Sequence, residues 1–249
     1  MRIDAIGTAG GKTIDHRLTT FLVDDVLSLD AGSVCTGLGL EQQLKIENLF
    51  LSHVHMDHVG ELPLLVDNLS LHGKSLTVHA TEATIEFLKS SIFNGVIWPD
   101  FTRIPDPQSP TLRFREVRYM DPVEIDGFTV TALPVNHLTG SAGCHVMKDG
   151  KGLVYTSDTG ETEEIWSYIN ARNDVQAVIT ECSFPADMEP LAVISRHYSS
   201  VSLEKELLKL KVPLQVYIYH LKPQFRDRIL AEIDHLNVTV LKDGTAFQI

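Results

Sequence analysis

Apolar residues in this chain gather into short runs cut by Asp, Gly and Pro, the pattern of many short strands with helices between them. Arg2 to Ile6 reads as a strand. Phe21 to Val23 and Val26 to Leu29 are two apolar runs split by Asp24-Asp25, as in a hairpin. Leu49 to Leu51 is a buried strand running straight into a group of histidines. Leu62 to Leu71 is apolar enough for a helix, with Pro63 tolerated in its first turn. Leu76 to His79 is a further strand, and Thr81 caps a helix through about Lys89. From Asn94 to Pro110 the pattern lapses into Gly95, Pro99, Pro105, Pro107 and Pro110 among aromatic residues. Trp98 and Phe101 favour burial, so the segment reads as an ordered excursion, either a flap over a site or a loop packed on the surface.

The second half repeats the first. Phe128 to Leu133 is a strand ending near His137, and Cys144 to Met147 and Leu153 to Thr156 form a hairpin about Asp149-Gly150. Glu163 to Ile169 is helical and Val175 to Thr180 a strand. Ser202 is read as the cap of a helix from Leu203 to Leu210, followed by a strand from Leu214 to Tyr219. Phe225 to Leu236 is the last helix, and a hairpin around Asp243-Gly244 closes the chain. Two similar halves, each with strands and outlying helices, predict two sheets packed face to face with helices covering both.

Length and charge narrow the partners. A chain of 249 residues suits a single domain spanning 1–249. Its net charge of −12 argues against stable binding of a nucleic-acid backbone, which needs clustered Lys and Arg. A small anionic substrate remains compatible where bound cations supply local positive charge. Cys35, Cys144 and Cys182 are widely spaced, as for reduced thiols. No apolar stretch approaches the roughly 20 residues of a membrane span, and the N-terminus lacks a signal-peptide pattern, so a cytoplasmic location is expected.

The chemistry concentrates in His53-Val54-His55-Met56-Asp57-His58. On an extended segment residues two apart face the same way, so His53 and His55 can grip one ion together. Asp57 and His58 fall where the chain turns and a helix can begin, facing a second ion. Imidazole and carboxylate suit zinc, with manganese and iron as alternatives. A solvated His-rich loop is the competing reading, and the preceding buried strand argues against it. The Gly-rich run Gly7 to Thr13 invites a phosphate-loop reading, but Ile6 stands where that pattern needs Gly; a turn beside the metal site fits better.

The six-residue pattern followed by Gly60 resembles the HxHxDH signature of the metallo-β-lactamase superfamily. Leu29-Asp30-Ala31-Gly32-Ser33 resembles that family's first motif, whose Asp braces the metal loop. His137, Asp158 in Tyr155 to Gly160, and His220 after the strand Val216 to Tyr219 match the later ligands in order and placement. The resemblance implies an α/β fold of the αββα type, a four-layer sandwich. It also implies two divalent ions, one held by His53, His55 and His137, the other by Asp57, His58 and His220, with Asp158 shared. His16, His72, His79, His145 and His235 match no motif and are expected to play ordinary roles.

Within the superfamily, Thr180 to Pro185, Tyr219 to Pro223, and the run from His58 through Leu64 to Asn68 look like class II cyclic-nucleotide phosphodiesterases. This implies hydrolysis of a 3′,5′-cyclic nucleotide (cyclic AMP or cyclic GMP) to a 5′-monophosphate by a metal-activated hydroxide, with Asp57 in the catalytic set. His197 resembles a His that related enzymes bring to the leaving group, with Glu181 orienting or protonating it; a surface residue beside a helix is the competing reading. Ser33 and His197 are the expected substrate contacts. Three rival functions share the fold: a transfer-RNA 3′-processing endonuclease, a ligand sensor without activity, and a thioester or lactone hydrolase. The acidic surface weighs against the first and the complete ligand set against the second. A homodimer is an expected assembly, with the Pro-rich excursion as a candidate contact.

Overall fold

The computed structural model describes residues 1–249. In the first half, β1 (Arg2–Gly7), β2 (Thr20–Val23) and β3 (Leu27–Leu29) form an antiparallel meander. The turn between β2 and β3 places Asp24 and Asp25 at φ 46° and 65°, the left-handed pair that matches strand twist in a tight hairpin. Two short helices, α1 (Val34–Gly37) and α2 (Leu40–Gln43), precede β4 (Asn48–Phe50). Then come α3 (Met56–Val59), α4 (Leu62–Leu71), β5 (Leu76–Ala80) and α5 (Glu82–Ser91). Thr81 caps α5 as expected, accepting from the Thr84 N–H. A two-stranded ribbon, β6 (Pro105–Asp106) and β7 (Ser109–Pro110), interrupts the irregular segment before β8 (Leu112–Glu116). Phe93, Phe101 and Trp98 of this segment pack beneath the first sheet and anchor it in the outer layer.

The second half contains β9 (Pro122–Ile125), β10 (Phe128–Pro134), β11 (Ala142–Lys148), β12 (Lys151–Tyr155), α6 (Glu164–Asn170) and β13 (Val175–Glu181). It continues through α7 (Glu189–Ser195), α8 (Ser200–Leu207), β14 (Gln215–Tyr219), α9 (Arg226–Ile233), β15 (Thr239–Val240) and β16 (Thr245–Gln248). The sheet orders are β16-β1-β2-β3-β4-β5-β8 and β15-β14-β13-β12-β11-β10-β9.

Three apolar clusters define four layers. Phe21, Phe50, Phe128, Val130, Tyr155 and Tyr219 fill the space between the sheets. Leu49, Val66, Leu69, Val78 and Leu88 lie between the first sheet and its helices, and Trp166, Val178, Leu203, Ile218 and Ile229 between the second sheet and its own. Burying both faces of each sheet is why the central strands read as continuous apolar runs. The expected αββα sandwich is therefore the observed architecture. No helix is long and apolar enough to cross a membrane.

Some sequence expectations need correction. The helix read from Ser202 begins at Ser200: Ser199 is the cap, accepting from Val201 and Ser202 N–H groups, while the Ser202 hydroxyl accepts from the Ser199 N–H. Asp243-Gly244 does not close a hairpin. β15 pairs with β14 in the second sheet and β16 with β1 in the first, so the turn carries the chain across the sandwich. Asp243 is held there by N–H groups of Thr8 and Arg17, each near 2.8 Å or shorter. α1, α2, α7, β8 and β9 are additional to the elements expected.

Candidate metal centre

Strand ends deliver the functional groups. β4 stops at Phe50 and the chain runs extended through His53 and His55, the latter standing just ahead of α3 with φ −63° and ψ 146°. α3 then turns Asp57 and His58 to another direction, as the spacing predicts. His137 follows β10, Asp158 follows β12, Glu181 ends β13 and His220 follows β14. Two positions require glycine here. A Cβ on Gly32 would stand 2.0 Å from the Asp57 carbonyl oxygen, and one on Gly10 would stand 2.7 Å from the His220 ring. The Gly7 to Thr13 segment is thus the turn beside the site.

The seven expected ligands converge in two overlapping groups: His53, His55, His137 and Asp158, and Asp57, His58, Asp158 and His220, with donor atoms inside each group no more than 4.8 Å apart. His137 Nε2 lies 3.1 Å from His55 Nδ1, and His220 Nε2 lies 3.1 Å from Asp57 Oδ2. Asp158 Oδ2 stands 3.2 Å from His58 Nε2, 3.3 Å from His220 Nε2 and 3.8 Å from His53 Nε2. The Asp158 carboxylate thus lies within reach of both groups.

A second ring of groups fixes which nitrogen faces inward. His58 Nδ1 donates to Asp30 Oδ2 at 2.7 Å, and His137 Nδ1 donates to the Arg196 carbonyl at 3.1 Å. His53 Nδ1 lies 3.0 Å from the Ser52 hydroxyl, which itself donates to Asp30 Oδ2. His220 Nδ1 lies 2.8 Å from the Ser183 hydroxyl, which donates to Glu181 Oε2. Tyr155 donates to Asp30, and Tyr219 links Tyr155 to Asp158 Oδ1. Asp30, Ser157, Arg196 and His220 all take positive φ, between 55° and 65°, so the ring is held by a strained backbone.

The residues fit divalent ions. His53 Nε2, His58 Nε2 and Asp158 Oδ2 are buried without any hydrogen-bond partner, an arrangement costly unless a cation satisfies them. Asp30, Asp158 and Glu181 are fully buried carboxylates around the same point. Burial drives the His53 imidazole well below its usual range and lowers His137 to about 4, favouring the neutral form that coordinates metal. His58 also suffers burial, but the Asp158 and Asp30 carboxylates outweigh it and raise its pKa. Burial opposes ionisation of Asp57, yet the His220 hydrogen bond and the nearby His58 hold it lowered.

Glu181 and His197 form a pair at the edge of this cluster. His197 Nδ1 lies 2.7 Å from Glu181 Oε1, which also accepts the Thr159 N–H at 2.9 Å. The His197 ring stacks on His220 at 5.4 Å, and its Nδ1 is 3.9 Å from Asp158 Oδ2. Burial lowers the His197 pKa, but Glu181 overrides it and the net shift is upward. Glu181, His197 and His220 are close enough to form a third ligand group, although the hydrogen bond to Glu181 already occupies His197 Nδ1.

Ser33, an expected substrate contact, exposes no surface to a substrate in this structure. It is fully buried, its hydroxyl accepts the Leu18 N–H at 2.8 Å, and its own N–H donates to Thr20 Oγ1. It braces two loops behind the site. His79 and His145 lie outside the cluster, bonded to Asn48 and Tyr168, and His16, His72 and His235 are likewise apart. Ser52, Tyr155, Ser183 and Tyr219 are supporting residues that motif reading passes over. Their signal is position, each standing within three residues of a ligand or of Glu181.

A family model described as the beta-lactamase superfamily domain matches residues 19–242. The chain belongs to that superfamily. Among its superfamily relatives, it is 26% identical to the "Probable 3′,5′-cyclic-nucleotide phosphodiesterase" of Yersinia pestis, over 94% of this chain and 83% of the relative. It is also 26% identical to the 3′,5′-cyclic-nucleotide phosphodiesterase of Aliivibrio fischeri, over 81% of this chain and 73% of the relative. The superfamily fold superposes on unliganded yeast PDE1 with a TM-score of 0.81 at 18% identity, covering 100% and 99% of the two chains.

Proposed function

We propose that this protein is a phosphodiesterase that hydrolyses 3′,5′-cyclic nucleotides, such as cyclic AMP and cyclic GMP, to 5′-nucleoside monophosphates with the help of two divalent ions. The observation that carries this reading is similarity along most of the chain to two proteins bearing that name. His53, His55 and His137 would hold one ion and Asp57, His58 and His220 the other, with Asp158 common to both. When bound, such a pair lowers the pKa of water and neutralises phosphate charge. Zinc suits this nitrogen-rich donor set, and manganese or iron are accepted by it.

The chain's own groups supply orientation and a proton. Opening the cyclic phosphodiester releases the 3′ oxygen as an alkoxide, which needs a proton as it departs. Glu181 fixes the His197 ring through Nδ1, and His197 Nε2 makes no hydrogen bond within the protein. With its pKa raised by Glu181, His197 keeps a proton on Nε2 for the 3′ oxygen. The Thr159 N–H and Ser183 hydroxyl hold Glu181 in place. The burial around Asp158 excludes bulk water from this face, so these charges act with little screening.

Metal-replete protein should be assayed with cyclic AMP, cyclic GMP, bis(p-nitrophenyl) phosphate and a thioester, alongside a gel shift with structured RNA. The expected result is turnover of the phosphodiesters, with cyclic nucleotides giving 5′-monophosphate, and no RNA retention. Turnover of the thioester alone would overturn the phosphodiesterase reading and leave the fold untouched.

A further inference from the structure

Cations are scarce in this acidic chain, and few stand near the centre. Lys12 Nζ is ion-paired with Glu61 Oε1 at 3.2 Å. Arg196 has no carboxylate partner and donates to the carbonyl of His137, itself in the first candidate group. Lys222 is free of carboxylates too. Its ammonium forms no ion pair with any carboxylate; it donates to the Gly10 carbonyl at 3.2 Å and lies 5.4 Å from the centroid of the Phe184 ring. A carbonyl and a ring face are weak partners for a full charge, so a phosphate oxygen displaces them at small cost.

Both partners of Lys222 also touch the candidate centre. Gly10 is packed against the His220 ring, and the Phe184 ring stands 6.0 Å from that of His197. Lys222 is half-buried, and its ammonium, at the end of a flexible four-carbon stem, thus meets two groups that themselves pack against His220 and His197. We infer that Lys222 binds the phosphate group of the substrate, holding a non-bridging oxygen beside His197; this rests on the phosphodiesterase reading for the identity of the substrate. Lys222 thereby supplies a fixed positive charge in a protein whose overall charge repels anions.

The test compares the wild type with Lys222→Met, which keeps the stem without the charge, and Lys222→Arg. With cyclic AMP, Lys222→Met should raise KM about 10–100-fold with kcat within about threefold, because the contact is made equally in ground and transition states. Its kcat/KM should also lose much of its salt dependence, and Lys222→Arg should recover part of the affinity. Binding of inorganic phosphate to the metal-replete proteins gives an activity-independent readout, expected to weaken about tenfold or more in Lys222→Met at unchanged metal content. Unchanged phosphate affinity in that variant overturns the inference even in an active phosphodiesterase. Weakened phosphate binding upholds the role of Lys222 even if cyclic nucleotides prove not to be substrates. Loss of bound metal in Lys222→Met would make the residue a structural clamp on the Gly10 turn and refute its role in binding.

Discussion

Asp30→Asn is a near-isosteric change at a fully buried carboxylate that touches no substrate, and it isolates what the second ring contributes. Asp30 Oδ1 accepts the Ser52 N–H at 2.8 Å. Its Oδ2 accepts from the Ser52 hydroxyl at 2.8 Å, His58 Nδ1 at 2.7 Å and the Tyr155 hydroxyl at 2.7 Å. An amide offers only one acceptor oxygen. If its NH2 takes the Oδ1 position, it faces a backbone N–H that cannot turn away, and one buried donor is stranded at about 1–3 kcal/mol. If it takes the Oδ2 position, it faces His58 Nδ1–H and forces the imidazole proton onto Nε2, the nitrogen aimed at Asp158. The first arrangement spares His58 but also loses charge assistance on the remaining bonds, about 1 kcal/mol each, while removal of a buried charge offsets part of this. A net loss of about 2–3 kcal/mol in urea unfolding of the metal-free protein is expected. Metal affinity, followed by competition with a chromophoric chelator, should fall about 10–100-fold. Tyr155→Phe removes one donor and leaves the carboxylate, so it should weaken the metal less. If Asp30→Asn matched wild type in both unfolding and chelator competition, the bracing role would be refuted.

Other outcomes follow from the same geometry. His55→Ala should remove a ligand from the first group, lower metal stoichiometry measured by elemental analysis and nearly abolish turnover; full metal content with full activity contradicts the ligand assignment. His197→Ala should slow kcat by about 10²–10⁴-fold with metal content intact, and unchanged kcat removes it from the mechanism. His79, held at about 4 by burial and by Arg115, binds no proton in the folded state across a range where the unfolded chain does. Stability from this residue is therefore present above about pH 6.5 and lost as pH falls toward 4, on the order of 3 kcal/mol in all. His79→Gln should flatten urea-unfolding stability between pH 7 and 4.5 by about 2–3 kcal/mol, and parallel curves for the two proteins refute it.

Of the candidate ligands, the group from His53 to His58 is legible in the residues themselves, whereas His137, Asp158 and His220 are picked out by the resemblance to the superfamily. A run such as Leu49 to Leu51 announces a buried strand, and the polar residues just beyond it must surface together at one edge of the sheets. In the structure Asp158 and His220 also follow strands, β12 and β14. Capping was ambiguous because Ser199, Ser200 and Ser202 are all competent, and only the reciprocal bonds choose Ser199. Asp243-Gly244 is a good turn pair, but local chemistry does not reveal that the strands flanking it join different sheets. Ser33 illustrates a related point: it ends a motif, yet its hydroxyl is taken up by the Leu18 N–H, a pairing that residue identity does not reveal. Tyr155 and Tyr219 read as ordinary strand residues, since the bridge from Asp30 to Asp158 exists only once the two halves meet.

The phosphodiesterase assignment is tested most directly by following cyclic AMP with ³¹P NMR in the presence of metal-replete protein. The account predicts loss of the cyclic phosphodiester signal, growth of 5′-AMP alone, and no change in a parallel sample of His55→Ala. A cyclic AMP signal that persists with fully metal-loaded wild type, or product accumulating as 3′-AMP, would contradict it.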